Sequence, residues 1–254
     1  MKFLFQTIII FFFTSVILAR EAGETEITTE DGIEVFQNEK YYLLKKNVKI
    51  ESDNFTLYGD MIKIFFDKDL YDIQIIDAVG NVRLDSIEYN MKASGEYLLF
   101  KIIPEDIFIK GKDSVLITED VEMYSDGEIN VKNVNGNFFI KGPNSSLKAE
   151  TLFIEGYDID GIFQNTINGK EFKILNVNDE DIAYLKTEDT DMYANIVKYS
   201  KESAIIRLEN NVKIIRDGET ITGDYGTLNT NNNSYKVKSK DSKKVKVIIL
   251  EADE

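Results

Sequence analysis

Apolar and polar residues alternate along most of this chain in short runs, and clusters of Gly, Asn, Asp or Ser separate the runs. Alternation with a period of two is typical of strands that bury one face. No window of helical length carries an apolar stripe with the 3.6-residue period of a helix. The pattern therefore predicts an all-β fold of short antiparallel strands, with turns about every ten residues.

The predicted strands lie between these turn clusters. Ser125-Asp126-Gly127 is typical of a hairpin turn, and Gly142-Pro143-Asn144 is the clearest loop and the best candidate for a junction. The predicted strands are Ile33–Phe36, Tyr41–Ile50, Phe55–Phe66, Leu70–Ile76, a strand after Gly80-Asn81 with Val82 and Leu84, Glu96–Ile103, Ile107–Lys110, two short strands within Val115–Met123, Ile129–Val134, Phe138–Lys141, Leu147–Glu155, Ile159–Ile167, Glu171–Val177, Ile182–Thr187, Met192–Tyr199, a strand with Ala204, Ile206 and Leu208, Tyr235–Lys240 and Val245–Leu250.

One string recurs within this pattern. Asn47-Val48-Lys49-Ile50 precedes Gly59-Asp60, and the same six residues return at the same spacing as Asn211-Val212-Lys213-Ile214 and Gly223-Asp224. A weaker copy begins at Gly80-Asn81-Val82. Each copy predicts a strand, a turn and a second strand that ends at Gly-Asp. Repeats of this size indicate stacked units that cannot bury their apolar faces alone.

The composition limits the classes of function that we expect for this chain. The chain has 254 residues and is 43% hydrophobic, which predicts a packed interior. The net charge of −15 gives no general basic surface for nucleic acid, so we expect no nucleic-acid partner. The local exception is a lysine-rich C-terminal stretch. It is either a solvated edge strand that resists unwanted pairing or a contact for an anionic ligand or partner. Its lysines are Lys236, Lys238, Lys240, Lys243, Lys244 and Lys246.

The residue types speak against an enzyme. Cysteine and histidine are both absent, which excludes disulfides, thiolate nucleophiles, zinc fingers and histidine-based acid–base catalysis. Composition leaves a two-carboxylate glycosidase open, but the carboxylates fall mainly in turns, as at Asp67 and Asp69 or Glu119 and Asp120. We expect no catalytic residue, no metal site and no cofactor.

The N-terminus predicts export. Lys2 precedes an apolar run from Ile8 to Leu18, and Ala19 offers a small residue for cleavage. Residues 1–19 are therefore the predicted signal peptide; an uncleaved membrane anchor is the alternative. Residues 20–30 are expected to be a flexible lead-in. Residues 31–250 are expected to form the β-domain, with an elaborated middle around 105–195.

Together with Glu30-Asp31-Gly32-Ile33-Glu34, the repeated strings resemble the periplasmic lipopolysaccharide-export proteins of the LptA/OstA type, in particular the bridge component of Gram-negative bacteria. The resemblance implies a folded-over β-jellyroll, an open trough that holds the acyl chains of lipopolysaccharide. It also implies edge-to-edge homo-oligomers in the periplasm, with an inner-membrane-anchored Lpt-type protein and an outer-membrane translocon as partners. A membrane-anchored relative in the same system and a non-transporting envelope scaffold remain alternatives.

The predicted trough residues are the alternating apolar sets near the repeats, which the sequence alone allows to be either a lipid site or a closed core. They are Val48, Ile50, Ile62, Ile64, Val82, Leu84, Leu98, Phe100, Ile206, Leu208, Val212 and Ile214. Gly59, Gly80 and Gly223 are predicted to serve the backbone at turns, by positive φ or close approach.

Overall fold

The computed structural model describes residues 24–68, 72–149, 152–166, 169–240 and 244–249. The predicted signal segment, Leu70, Tyr71, Lys243 and Leu250 lie outside these residues. Every regular element in the described part is a strand: β1 (Glu26–Thr28), β2 (Ile33–Phe36), β3 (Tyr41–Glu51), β4 (Phe55–Phe66), β5 (Ile73–Ser86), β6 (Met91–Lys101), β7 (Asp106–Lys110), β8 (Ser114–Thr118), β9 (Glu122–Ser125), β10 (Glu128–Lys132), β11 (Asn137–Lys141), β12 (Ser146–Ala149), β13 (Leu152–Glu155), β14 (Asp158–Thr166), β15 (Gly169–Lys186), β16 (Thr190–Ser200), β17 (Ile205–Arg216), β18 (Glu219–Asn229), β19 (Ser234–Lys238) and β20 (Lys246–Ile249).

The strands form one antiparallel ladder of fourteen layers in the described part of the chain. Eight layers are single long strands, β3 to β6 and β15 to β18. The other six are pairs of half-length strands: β1 with β2, β7 with β8, β9 with β10, β11 with β12, β13 with β14, and β19 with β20. Each layer pairs only with the layers on either side of it, so the fold is a ribbon with two open edges.

Every layer bends once near its middle, and the bends align along the ribbon as a corner. The corner divides the sheet into half-sheet A, which begins with β2 and ends with β19, and half-sheet B, which begins with β1 and ends with β20. In β3, for example, Tyr41 to Leu44 pair with β2, whereas Lys49 to Glu51 pair with β1. The turns that join successive layers lie at the far side of each half-sheet, and we call these two rows of turns the lips.

The core lies between the two half-sheets. Inward positions alternate with outward ones along each strand, and the buried apolar residues of both half-sheets form one cluster that runs from Leu44 in β3 to Leu228 in β18. The fold is therefore an all-β, antiparallel β-jellyroll folded over along a corner, as the sequence predicts.

Several sequence predictions mistook the corner for a turn. The Gly-Asp pairs at Gly59 and Gly223 lie inside β4 and β18 rather than at strand ends, and Gly80-Asn81 lies inside β5. Ser125-Asp126-Gly127 is not a hairpin turn, because β9 pairs with β8 and β12 while β10 pairs with β7 and β11. A bend within a layer needs the same residue types as a reversal between layers, which explains the error.

Other differences concern element bounds. The predicted strand Leu147–Glu155 is two strands, β12 and β13, and the predicted pair Glu171–Val177 and Ile182–Thr187 is the single strand β15. Part of the expected flexible lead-in forms β1, in which Ile27 pairs with Ile50 and packs against the core. The middle, residues 105–195, continues the same ladder, and the Gly142-Pro143-Asn144 loop is a break at the corner.

Candidate functional site

The predicted trough residues all lie in the interior. Each of the twelve is at most 4% exposed, and each belongs to the single core cluster. Half-sheet A carries Ile62, Ile64, Leu98, Phe100, Ile206 and Leu208, and half-sheet B carries Val48, Ile50, Val82, Leu84, Val212 and Ile214. The structure thus brings the two sets together as facing walls, and side chains fill the space between them along most of the ribbon.

The repeated string is a cross-strand unit of the corner. The valine of each copy pairs with a glycine in the next strand: Val48 with Gly59, Val82 with Gly95, and Val212 with Gly223. The residue before each valine is Asn, at a positive φ of 47° to 53°. Asn adopts the left-handed region more readily than other residues with a side chain.

The glycines leave room for side chains that pack at the corner, from the neighbouring layer at Gly223 and from the same strand at Gly59. A Cβ on Gly223 would lie 2.5 Å from Cγ1 of Val237, and one on Gly59 would lie 3.2 Å from Cγ1 of Ile62. Close approach, rather than positive φ, is the reason for glycine at these two positions. Gly80 has a φ of +76° and therefore does need the conformational freedom of glycine.

A row of polar side chains links the layers outside the corner. Nδ2 of Asn81 donates to Oδ2 of Asp60 at 2.9 Å, and Nδ2 of Asn211 donates to Oδ1 of Asn195 at 2.8 Å. Asp126 accepts from the backbone N of Asp113 at 2.9 Å, and this bond is the main reason why its pKa lies below the ordinary value. These contacts stabilise the corner and present no reactive group.

The lips contact each other at a few places. Near the middle of the ribbon, Oδ2 of Asp120 on the lip of half-sheet B accepts from the backbone N of Lys170 on the other lip, at 3.3 Å. At the C-terminal end, Arg216 of half-sheet B donates to the carbonyl oxygen of Asn233 at 2.9 Å and pairs with Asp189 at 2.5 Å. Oη of Tyr235 also donates across the lips to Oε2 of Glu219, at 2.8 Å.

The hydrogen bond to Glu219 is the main reason why the pKa of Tyr235 is raised; partial burial adds to it. The phenol therefore stays protonated and keeps donating over the physiological pH range. Together with the Arg216 contacts, this bond holds the C-terminal layers closed, and we call these contacts the C-terminal clasp.

A cavity of about 460 Å³ lies between the lips, in the stretch from Asp120 and Lys170 to the C-terminal clasp. Its inner wall is apolar and comes from both half-sheets. Phe172, Leu175, Tyr199, Ile206 and Leu228 belong to half-sheet A, and Ala149, Leu152 and Leu185 belong to half-sheet B. Of the predicted trough residues, Ile206 lines this cavity.

The two open edges of the ribbon are oppositely charged. The N-terminal layer, residues 24–36, contains five carboxylates and no basic residue: Glu24, Glu26, Glu30, Asp31 and Glu34. Two of them already pair with lysines of β3, Glu34 with Lys45 and Asp31 with Lys46. In the described part of the C-terminal layer, residues 234–240 and 244–249 contain five lysines and no acidic residue.

Both open edges also leave inward apolar side chains uncovered. At the N-terminal edge, Ile33 and Val35 of β2 are each 47% exposed, although their partners Leu44 and Tyr42 face the core. At the C-terminal edge, Val247 of β20 is 51% exposed, although its partner Ile221 is buried. Among the described residues, the interior is therefore continuous from the first layer to the last, and its apolar side chains are exposed at both edges.

Sequence reasoning did not identify the lip residues. Asp120, Arg216 and Tyr235 stand in ordinary turn and strand contexts, and their partners lie 16 to 50 positions away. Only the ladder order brings them together. The charge difference between the two ends is visible in the sequence, but its meaning depends on both ends being sheet edges.

Within the described ranges, no three or more Asp and Glu side chains are grouped so that they could hold a metal ion. Among the same residues, no helix is long and apolar enough to cross a membrane.

Among solved structures, the chain is distantly similar to a periplasmic protein. LptH, the LptA-homologous periplasmic component of the lipopolysaccharide transport device of Pseudomonas aeruginosa, matches 90% of this chain and 96% of its own. The two share 9% identity and superpose with a TM-score of 0.23. That likeness is too loose to carry an argument. No family model and no curated protein matches the chain.

Proposed function

We propose that this protein carries lipopolysaccharide through the periplasm as one segment of an end-to-end β-bridge. An inner-membrane-anchored Lpt-type protein and an outer-membrane translocon would be its partners. The observation that carries the proposal is the continuous apolar interior, which runs between two facing half-sheets and is exposed at both edges of the described ribbon. The repeated Asn-Val and Gly-Asp string, with its resemblance to the LptA/OstA-type proteins, supports the same function.

Transport would depend on acyl chains entering the interior, and the lips would have to part because the interior is filled. Burial of acyl chains contributes about 0.8 kcal/mol per CH₂ group. The opposing contacts are few: a hydrogen bond at Asp120, the C-terminal clasp and apolar packing. Lipid A is itself anionic, so acyl burial rather than charge would supply the affinity of this acidic protein.

Crosslinking in the native host tests the cargo. Photoreactive side chains at Ile64 and Leu208, one near each copy of the repeated string, should capture lipopolysaccharide. The matched control is Lys63, which lies beside Ile64 on the outward face over the ring of Tyr41. Capture at the inward sites no stronger than at Lys63 would refute the proposal. Depletion of the protein should also leave lipopolysaccharide at the inner membrane.

A disulfide across the lips tests whether they must part. The natural chain has no cysteine, so Asp120→Cys with Gly169→Cys would be its one pair. A Cβ on residue 169 would lie 3.3 Å from Cγ of Asp120, the atom whose place a cysteine sulfur at position 120 would take. Because Gly169 has a φ of +114°, Gly169→Cys alone is the control, since it carries the same backbone strain. Oxidation should abolish lipopolysaccharide capture at Leu208, and reduction of the same protein should restore it. Equal capture in both states would mean that the lips need not move.

The assembly we propose is head to tail. Because the described part of the ribbon has an even number of layers, its first and last layers run in opposite directions. The β19 and β20 strands of one copy can therefore pair antiparallel with β2 and β1 of the next, as added strands do at exposed edges. Ile33 and Val35 would meet Tyr235 and Val237 inside the joint, and Glu34 would face Lys236 and Lys238 outside it. Lysines on the edge disfavour pairing with another basic edge.

Charge exchange tests this polarity. Lys236→Glu with Lys238→Glu makes strand β19 acidic, so that it faces the acidic β2 of the next copy, and Glu26→Lys with Glu34→Lys makes β1 and β2 basic, so that they face the lysines of β20 and β19. Each double variant should remain monomeric in sedimentation at low salt, whereas their mixture should assemble. Assembly of the natural protein should weaken at about 1 M salt because exposed charges are screened. Variants that assemble alone as well as the natural protein does would rule out charge-directed polarity.

The filled interior favours a second candidate, an envelope scaffold that assembles without carrying cargo. A scaffold should show the same assembly of the natural protein and of the mixed charge variants as the transport protein would. It should not capture lipopolysaccharide at Ile64 or Leu208, and the lip disulfide should not affect envelope integrity. The third candidate, a membrane-anchored relative, differs at the N-terminus. Mass spectrometry of the purified protein decides it, since retention of residues 1–19 would indicate the anchor.

A further inference from the structure

The cavity between the lips differs from the rest of the interior. Its wall residues Leu175, Leu185 and Ile206 are at most 3% exposed, like the trough residues, yet about 460 Å³ stays open beside them. This volume is within the usual range for small-molecule sites, about 300 to 1,000 Å³. Ile206 joins the cavity to the packed interior, so a chain that entered here would meet the core directly.

Two sets of cross-lip contacts frame the opening. On one side Asp120 accepts from the backbone of Lys170, and on the other Arg216 donates across the opening to Asn233; Asp189, on the same lip as Arg216, pairs with it. Asp120, Lys170, Asp189 and Asn233 all line the cavity, so the frame and the opening are continuous. We call this framed opening the lip window.

The rim of the lip window does not favour an anion. Its lining carries four carboxylates, Asp120, Glu171, Glu188 and Asp189, against two amines, Lys170 and Lys201. Lys201 pairs with Glu171, Lys170 donates to Asn133, and Asp189 pairs with Arg216. Thr187, Thr230 and Asn233 add uncharged groups that can bond to hydroxyls. The rim therefore matches an uncharged, hydroxyl-bearing head group, and the wall matches an alkyl chain.

We propose that the lip window admits one alkyl chain of an amphiphile sideways, with a neutral, sugar-like part of the head group at the rim. Loading would then occur through the side of the C-terminal half as well as through the open ends. For the natural cargo this inference rests on the proposed function. An acyl chain of lipopolysaccharide would enter while the phosphate groups stay in water, away from the carboxylates of the rim.

The test uses purified protein and a dodecyl maltoside that carries a diazirine at the end of its alkyl chain. After irradiation, peptide mapping should place most of the label on Leu152, Phe172 and Leu185. Label concentrated on Ile33, Val35 or Val247 instead would show entry through the open ends and overturn the proposal.

Substitution of the wall sharpens the result. Leu152→Trp should fill the opening and lower labelling at Phe172 at least fivefold, and Ala149→Phe should do the same if the first variant is poorly folded. Ile103→Trp, at a lip turn outside the window where Ile103 is 76% exposed, should leave labelling unchanged. Unchanged labelling in folded Leu152→Trp and Ala149→Phe would overturn the proposal.

This outcome is separable from the cargo test. Lipopolysaccharide captured at Ile64 and Leu208 without capture at Phe172 would refute the lip window and leave the proposed function standing. Maltoside labelling at the lip window without lipopolysaccharide capture in cells would support the lip window and refute the proposed function.

Discussion

The corner of the ribbon is built in two ways. In the layers β3 to β6 and β15 to β18, a continuous strand passes the corner through a bulge, and in β3, β5 and β17 residues such as Asn81 adopt a positive φ there. In the four middle layers the strand is interrupted, and its two halves are joined by segments such as Gly142-Pro143-Asn144. The same bend therefore leaves the backbone ladder nearly intact in one region and opens it in the other.

Buried serines compensate for the opened ladder. Ser114, Ser125 and Ser145 lie at the middle corners and are at most 3% exposed. Oγ of Ser125 accepts from the backbone N of Gly127 at 2.9 Å and lies 3.0 Å from the carbonyl oxygen of Lys141. Hydroxyls thus satisfy backbone groups that no longer pair with a strand, as buried polar groups require. The comparison shows that the middle corners depend on side chains and the outer corners on the backbone.

The largest expected difference comes from adding a methyl group at each kind of corner. A Cβ on Gly127 would lie 2.2 Å from the carbonyl oxygen of Lys141, which is backbone and cannot move aside. A Cβ on Gly59 would lie 3.2 Å from a side-chain carbon of Ile62, which can move aside. Gly127→Ala should lower the free energy of unfolding by about 3 kcal/mol or more, and Gly59→Ala by about 1 kcal/mol. Equal losses of unfolding free energy in denaturant titrations of the two variants would show that the two kinds of corner do not differ in this way.

Removal of a middle-corner hydroxyl should have the next largest effect. Ser125→Ala leaves the N–H of Gly127 without its hydroxyl acceptor in a buried site, which costs about 1 to 3 kcal/mol. The control is Ser94→Ala, in the long strand β6, where the side chain is half-buried and the strand continues through the corner. It should change stability by less than about 0.5 kcal/mol. The two variants should be compared by thermal unfolding.

At the outer corner, Asn81 separates backbone from side-chain effects. Asn81→Ala loses the bond to Asp60 and places alanine at a φ of 50°, so it should cost about 1 to 2 kcal/mol. Asn81→Gly loses the same bond but accepts that φ, so it should cost less. If glycine proves as costly as alanine, the hydrogen bond rather than the backbone governs the outer corner.

The smallest effect concerns pH at the middle corner. Hydrogen bonds from Asp113 and Asn144 hold the pKa of Asp126 below its ordinary value of about 3.9. A lowered pKa in the folded state contributes stability above the ordinary value, and this contribution is lost as pH falls through the folded-state pKa. Asp126→Asn should therefore lower Tm at pH 7, and the difference from the natural protein should shrink on acidification. A Tm difference that does not depend on pH would refute this account.

The sequence predicts the strand class, the inward residues and the repeated unit, because period-two alternation and a recurring string both survive in a single chain. Ile62, Ile64, Val212 and Ile214 lie inward as the alternation indicates. The corner was not predicted, since the Gly and Asx residues that form a bend also form hairpin turns. Ser125-Asp126-Gly127 is the clearest example, because only strand partners distinguish a corner from a turn.

The contacts between the lips are even less predictable from the sequence than the corner. Arg216 and Asn233 bond because the fold brings the ends of β17 and β18 onto opposite lips, and no local pattern encodes that contact. The lip window depends in addition on how far the half-sheets separate, which a binary pattern of apolar and polar residues does not specify. The sequence therefore predicts which face of each strand is buried, but it does not predict the contacts and the cavity between the lips.

The even number of layers constrains how such a ribbon can change in length. Loss or gain of a single strand would reverse the direction of the last edge, and the joint proposed above would then have to pair parallel strands. Loss or gain of a whole hairpin keeps the direction and shifts the end by two strand spacings, about 10 Å. Longer and shorter versions that still join in the same way are thus expected to differ by whole hairpins, with the charges of the first and last layers left in place.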